Sequence, residues 1–146
     1  MGRAQRARAT CAGAEGGPRA KGHTEERSVK GPSDRFEANQ FEIWWASLPE
    51  PVGRRPVLLL GRTASFAYLT RVLVVEVTTT VRGIPQEVSL SRREGLPRAS
   101  VANLDALRTV PHSCLESRIG RLDVRRHVEA KRALGHALHW PELTGL

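Results

Sequence analysis

The chain has 146 residues, a formal net charge of +8, and only three lysines (Lys21, Lys30 and Lys131) among its 23 basic residues. That length holds one core and so one domain, and an arginine-borne charge favours an acidic partner, either nucleic acid or an acidic protein. Two cysteines, Cys11 and Cys114, make neither a disulfide framework nor a C-x-x-C metal spacing, no apolar stretch is long enough to cross a membrane, and the basic N-terminus lacks the apolar run of a secretory signal. A cytoplasmic protein with no metal and no cofactor is the expectation.

Residues 1–35 contain one large aliphatic, Val29, and no aromatic. Such a stretch cannot bury enough apolar surface to offset its ordering entropy, so it reads as a disordered basic tail, with the folded domain over 36–146. Met1 is the only methionine, and a natural start downstream at Val29 fits the change of composition near Phe36. From Phe41 to Ala46 apolar and polar residues alternate with the period of a half-buried strand. Trp44 and Trp45 are adjacent there and should point to opposite faces, one into the core and the other onto a base or an interface. Leu48–Gly53 is proline-rich and reads as a loop. Val57–Leu60 is a second strand, and Phe66–Tyr68 is short strand material. Val72–Val77 is a β-branched run suited to burial on both faces. Glu87–Leu90 alternates again, and Ser100–Leu104 and Leu107–Val110 read as two short strands. Asp123 is a candidate N-cap for a helix from Val124 to about Leu138, with Val124, Val128, Ala130, Leu134, Ala137 and Leu138 on its apolar face. Gly135 is a weak spot in that helix, and Pro141 lies beyond its end. Several short strands followed by one helix predict a mainly β domain with a C-terminal helix, a small barrel or half-barrel.

Chemistry concentrates at two places. Gly53-Arg54-Arg55-Pro56 holds a permanent cation at the mouth of a buried strand, because Pro56 biases Arg55 toward extended backbone. Thr78-Thr79-Thr80 ends the β-branched run, and a loop carrying Arg82 follows. Glu76, one step inside that rim, reads as the partner of a neighbouring arginine. Each feature alone has an ordinary structural explanation: a strand start, good strand formers, an ion pair. His127 falls within the helix's apolar arc as a packing residue, His112 is a loop residue that stays open as a catalytic candidate, and the five histidines form no complete metal-ligand set.

Together, the segments Phe41–Trp45, Pro51–Leu60 and Val77–Pro85 resemble the PemK/MazF toxins of type II toxin–antitoxin systems. Gly95-Leu96-Pro97, Asn103-Leu104-Asp105, Leu107–Val110 and Arg118–Leu122 continue the resemblance, in the family's order, over about residues 41–140. It implies an SH3-like barrel with a C-terminal helix, a homodimer, and a metal-independent endoribonuclease acting on single-stranded RNA. It also implies a cognate antitoxin whose acidic segment occludes the RNA groove. The family's catalytic pair falls on Arg55 and Thr78, and Arg54, Thr79 and Arg82 are candidate RNA contacts. Two departures bear on specificity: the loop before Arg55 is the shortened Pro49–Gly53 form, and Ala106 stands where an amide side chain is common. The same fold also serves toxins that trap DNA gyrase, and a non-catalytic RNA-binding module is the third reading. The pairing of Arg55 with Thr78 favours the nuclease.

Overall fold

Six strands make one antiparallel sheet in the computed structural model, which describes residues 37–146. They are β1 (Glu42–Ser47), β2 (Arg54–Leu59), β3 (Arg71–Thr78), β4 (Glu87–Leu90), β5 (Ser100–Pro111) and β6 (Leu115–Arg121). Two helices close the chain, α1 (His127–Leu138) and α2 (Pro141–Thr144). The tail expected over residues 1–35 and the start at Val29 lie outside the described residues. The strand order is β4-β5-β3-β2-β1-β6, so the two aliphatic runs, β2 and β3, are central neighbours. No helix among the described residues is long and apolar enough to cross a membrane.

The central strands are buried on both faces, as their aliphatic runs require. One face puts Ile43, Leu58, Val75, Val77 and Val88 against Ala130 and Ala133 of α1. The other gathers Ala46, Val57, Leu59, Val72 and Val74 with Phe66 and Leu115. Val74 and Val75, adjacent in β3, are therefore both fully buried, one in each core. The sheet curls into a half-barrel, and its two edges approach through the 3-10 turn Arg92–Glu94 after β4. There the backbone of Gly120 in β6 lies so close to Glu94 that a Cβ on Gly120 would be 2.0 Å from the Glu94 carbonyl oxygen. The Glu94 carboxylate is buried and accepts from the Ser91 amide at 2.7 Å and from Arg126 Nη1 at 2.7 Å. One acid thus joins the sheet edge to the approach of α1.

Several expected elements take a different form. Phe66–Tyr68 is not a strand: Thr63–Ala67 is a 3-10 turn, closed by the Ser65 amide on the Arg62 carbonyl at 2.9 Å, with Phe66 as its buried anchor. The two short strands over 100–110 are one long strand, β5, whose pairing with β3 shifts register between Val75 and Val77. The polar segment Leu115–Arg121 is β6, paired to β1 at the sheet edge. Asp123 does cap, accepting from the Arg125 amide at 2.9 Å, but Val124–Arg126 wind as a 3-10 turn before α1 begins. Val124 therefore leaves the helical wheel and is exposed, as is Leu138, the last residue of α1. The buried face centres on Ala130, Ala133 and Gly135. Gly135 is no defect, because a Cβ there would be 2.7 Å from Leu143 Cβ, and its bareness is what lets α2 lie on α1. His127 packs as expected, its ring stacked on Phe41 at 3.9 Å.

Glu42 ties the start of the domain together. It is 4% exposed and accepts from Asn39 Nδ2 at 3.0 Å, Trp44 Nε1 at 2.9 Å and Arg118 Nη1 at 3.4 Å. Burial alone would raise its pKa, but the bonds from Asn39, Trp44 and Arg118 outweigh it and hold the carboxyl below the ordinary glutamate value. A folded-state pKa below the unfolded one contributes stability that is complete above the unfolded pKa and is lost as pH falls through the folded one. The stability gap between the wild type and Glu42→Gln should therefore narrow as pH falls from about 6 to about 3, read from urea midpoints. A gap that stays constant over that range would show that the carboxylate charge is not what Glu42 contributes.

Candidate active site

Arg55 is aimed by the turn before it and the strand after it. The turn is tied by Leu48 N–H on the Gly53 carbonyl at 3.1 Å and by Val52 N–H on the Pro49 carbonyl at 3.1 Å. Gly53 has φ +67°, a left-handed conformation that suits glycine. Val57, Leu58 and Leu59 then sink into the two cores. Val57 faces Glu76 across the β2–β3 ladder. Arg55 and Thr78 lie two residues beyond that last pair, each on the same side of its strand as Val57 and Glu76 by the alternation of a strand. On that side β3 reads Val72, Val74, Glu76, Thr78, running from the core to the rim.

The Arg55 guanidinium donates from Nη1 to Glu76 Oε1 at 3.3 Å and from Nη2 to the Val52 carbonyl at 3.3 Å, while its buried Nε has no partner. Its side chain is about one-third exposed. The Thr78 hydroxyl accepts from the Thr80 amide at 3.2 Å, which fixes the oxygen and leaves its own proton to donate. These groups line a cleft of about 240 Å³, which Thr80, Arg82 and Glu87 border on the loop side and Asn103 and Ala106 on the β5 side. Arg82 is held over the cleft by its backbone: its amide and that of Gly83 donate to the Glu87 carboxylate at 3.0–3.2 Å. With Ala106 in place of a longer side chain, the β5 wall of the cleft is low.

The structure thus brings Arg55, Thr78 and Arg82 together and leaves Arg54 and Thr79 outside. Arg54 points to the opposite face, where its guanidinium stacks 4.1 Å from the centroid of Trp45 and its Nε donates to Glu116 at 2.7 Å. Trp44 takes the other side, packed against the core that holds Val57. Thr79 is exposed next to the rim. His112 stands at the far end of β3, where its amide bonds the Thr70 carbonyl at 3.2 Å, and burial lowers its pKa below the usual imidazole value. It is therefore remote from the cleft. Three residues in or next to the cleft were not singled out as site residues in the sequence. Glu87 looked like an ordinary strand residue, Asn103 entered only as part of the family resemblance, and Arg108, outside the cleft lining, reaches Glu76 Oε2 at 2.9 Å from the neighbouring strand. Only the expectation that Glu76 pairs with an arginine pointed toward that last contact.

Known proteins share both the sequence and this fold. The profile of the PemK-like, MazF-like toxins of type II toxin–antitoxin systems matches residues 39–138. The probable endoribonuclease MazF5 of Mycobacterium tuberculosis is 44% identical over 86 residues, covering 58% of this chain and 78% of that protein. The solved Mycobacterium tuberculosis toxin MazF-mt6 superposes with a TM-score of 0.64 at 36% identity, covering 67% of this chain and 96% of that one. A mycobacterial endoribonuclease solved with its cognate antitoxin shares the fold, with a TM-score of 0.63 at 24% identity over 71% of this chain and 97% of that one. Because the profile spans well over half of the sequence, the chain belongs to the PemK-like, MazF-like toxins of type II toxin–antitoxin systems.

Proposed function

We propose that residues 36–146 form a metal-independent endoribonuclease that cuts single-stranded RNA, mRNA above all, in the cytoplasm and so arrests translation and growth. Its cognate antitoxin restrains it, and the working unit is a homodimer. The observation that carries this reading is that Arg55 of β2 and Thr78 of β3 line one cleft. In the reaction the RNA 2′-oxygen forms a bond to the adjacent phosphorus and the bond from phosphorus to the 5′-oxygen breaks. The 2′-hydroxyl proton passes to solvent and the leaving 5′-oxygen takes one up, giving a cyclic phosphate and a free 5′-hydroxyl. Negative charge grows on the non-bridging oxygens as this happens. Arg55 meets that charge with a cation that cannot lose its proton, and so stabilises the transition state more than the ground state. Thr78 donates its hydroxyl proton to the same group. Arg82, on the loop above, holds the neighbouring RNA backbone. RNA contacts at Arg54 and Thr79 are not part of this proposal for the cleft, since both residues lie outside it.

The test is purified protein with a long single-stranded RNA in EDTA. Cleavage to cyclic-phosphate ends is the expected result. Intact RNA with the protein bound would replace the nuclease with a binding module, and intact RNA with inhibited gyrase supercoiling would replace it with a gyrase poison. Within the same assay Thr78→Ala should cut about ten- to a hundredfold more slowly, the worth of one hydrogen bond to a charged group. Thr78→Ser keeps the hydroxyl and should retain most of the rate. Equal rates for Thr78→Ala and the wild type would remove Thr78 from the chemistry.

A further inference from the structure

Glu76 lines the cleft with its side chain only 12% exposed. A carboxylate held that far from water needs donors on both oxygens. It has them, one from each flanking strand: Arg55 Nη1 of β2 at 3.3 Å on Oε1, and Arg108 Nη2 of β5 at 2.9 Å on Oε2. The contacts are unequal. The shorter one fastens Glu76 to Arg108, whose position on β5 faces Val74. The longer one holds Arg55, whose remaining tether is the Val52 carbonyl at 3.3 Å and whose Nε has no partner. Without the carboxylate, two guanidiniums would share one side of the sheet with nothing between them, and Arg55 would be free to turn to solvent.

We propose that Glu76, itself clamped by Arg108, is a positioning residue that holds the Arg55 guanidinium in the cleft for the phosphate. The proposal rests on the nuclease reading and deepens it. A carboxylate firmly bound on one side and lightly bound on the other lets Arg55 shift onto an arriving phosphate while Glu76 stays with Arg108. Arg108 therefore acts on Arg55 only through Glu76. This arrangement differs from general-base catalysis, in which Glu76 would itself take the 2′-hydroxyl proton, and the two assignments predict different mutant behaviour.

The experiment measures kcat, KM and their pH dependence on a defined cleaved RNA for the wild type, Glu76→Gln, Glu76→Ala, Arg108→Ala and the Glu76→Ala/Arg108→Ala pair. Misplacing a reacting group by about an ångström costs on the order of a hundredfold, so Glu76→Ala should lose about ten- to a hundredfold in kcat with KM nearly unchanged. Glu76→Gln is nearly isosteric and keeps one acceptor for Arg55, so it should fold and lose distinctly less. Arg108→Ala should lose less than Glu76→Ala and add almost nothing to it, the non-additivity of residues that act in series. Rotation about the Arg55 guanidinium, read from its Nη resonances, should be hindered in the wild type and freed by Glu76→Ala. The proposal is overturned if Glu76→Ala cuts at the wild-type rate. It is equally overturned if Glu76→Gln and Glu76→Ala are alike inactive and the acid limb of the pH profile disappears, because that marks a general base. If the wild type itself cuts no RNA, the nuclease reading has failed and this proposal falls with it.

Discussion

Replacing Arg55 by alanine should abolish RNA cleavage and growth arrest while leaving the domain folded. Removing one charge-directed donor from a developing oxyanion slows reactions on the order of a hundredfold or more, about 3 kcal/mol on the barrier. Arg55 should sit at the upper end of that range, because it supplies a full positive charge rather than a dipole. The fold should survive the change. The strand is anchored by Val57, Leu58 and Leu59, all fully buried, and Glu76 keeps its 2.9 Å contact to Arg108. Arg55→Lys is the sharper variant. It preserves the charge but replaces a planar fork with a compact ammonium that cannot bind Glu76, the Val52 carbonyl and a phosphate oxygen at once. It should recover little of the rate. Initial rates on labelled RNA, colony counts after induction and a thermal melt of each variant decide the matter. Cleavage by Arg55→Ala at the wild-type rate would remove Arg55 from the site.

Gly120→Ala should be the most damaging small substitution in the fold. The added methyl would stand 2.0 Å from the Glu94 carbonyl oxygen and 2.8 Å from its carbonyl carbon. These are backbone atoms, so no side-chain rotation relieves the clash. Glu94 cannot retreat either, since its buried carboxylate is bound to Ser91 and Arg126. Separating the 3-10 turn from β6 would open the contact that brings the sheet edges together. The expected cost is about 2 kcal/mol or more, typical of overpacking where relaxation is blocked. Gly145→Ala is the matched control: its methyl meets nothing nearer than the Pro141 carbonyl oxygen at 3.9 Å. Urea midpoints should fall for the first and barely move for the second. Equal midpoints would mean that the edge contact does not support the fold.

What could be read from the sequence follows what each residue depends on. β2, β3 and β4 were legible because their patterns are local: aliphatic runs for burial on two sides, alternation for one. β6 was not, because Leu115–Arg121 is polar and contains Gly120; its strand character comes from pairing with β1 rather than from its own composition. The helix was legible, but its first turn was misjudged, since the Asp123 cap that marks its start also permits a 3-10 turn. Arg55 and Thr78 stood out through the family resemblance, and strand alternation beyond the Val57–Glu76 pair brings both to one cleft. Arg54 lies on the face opposite Arg55 because adjacent strand residues alternate, and Thr79 follows the last residue of β3. Arg108 reaches Glu76 from the neighbouring strand β5, a pairing that no local pattern encodes.

The stacking of Arg54 on Trp45 has a consequence for how β2 finds its frame. Each side of Pro56 is uniform in character, two arginines before it and four aliphatics after it, so adjacent frames of the strand look alike. Sliding it one residue past its neighbours would exchange Val57 and Leu59 for Leu58 and Leu60 and bury almost as much hydrocarbon. Apolar burial alone therefore selects weakly between the two frames. The slipped frame would put Arg54 toward the cleft and Arg55 toward the outer face, out of reach of Glu76. Arg54, stacked on an indole and bonded to Glu116, makes the frames unequal. It works as a key that fits one alignment of the strand, and it is this alignment that turns its neighbour toward the cleft.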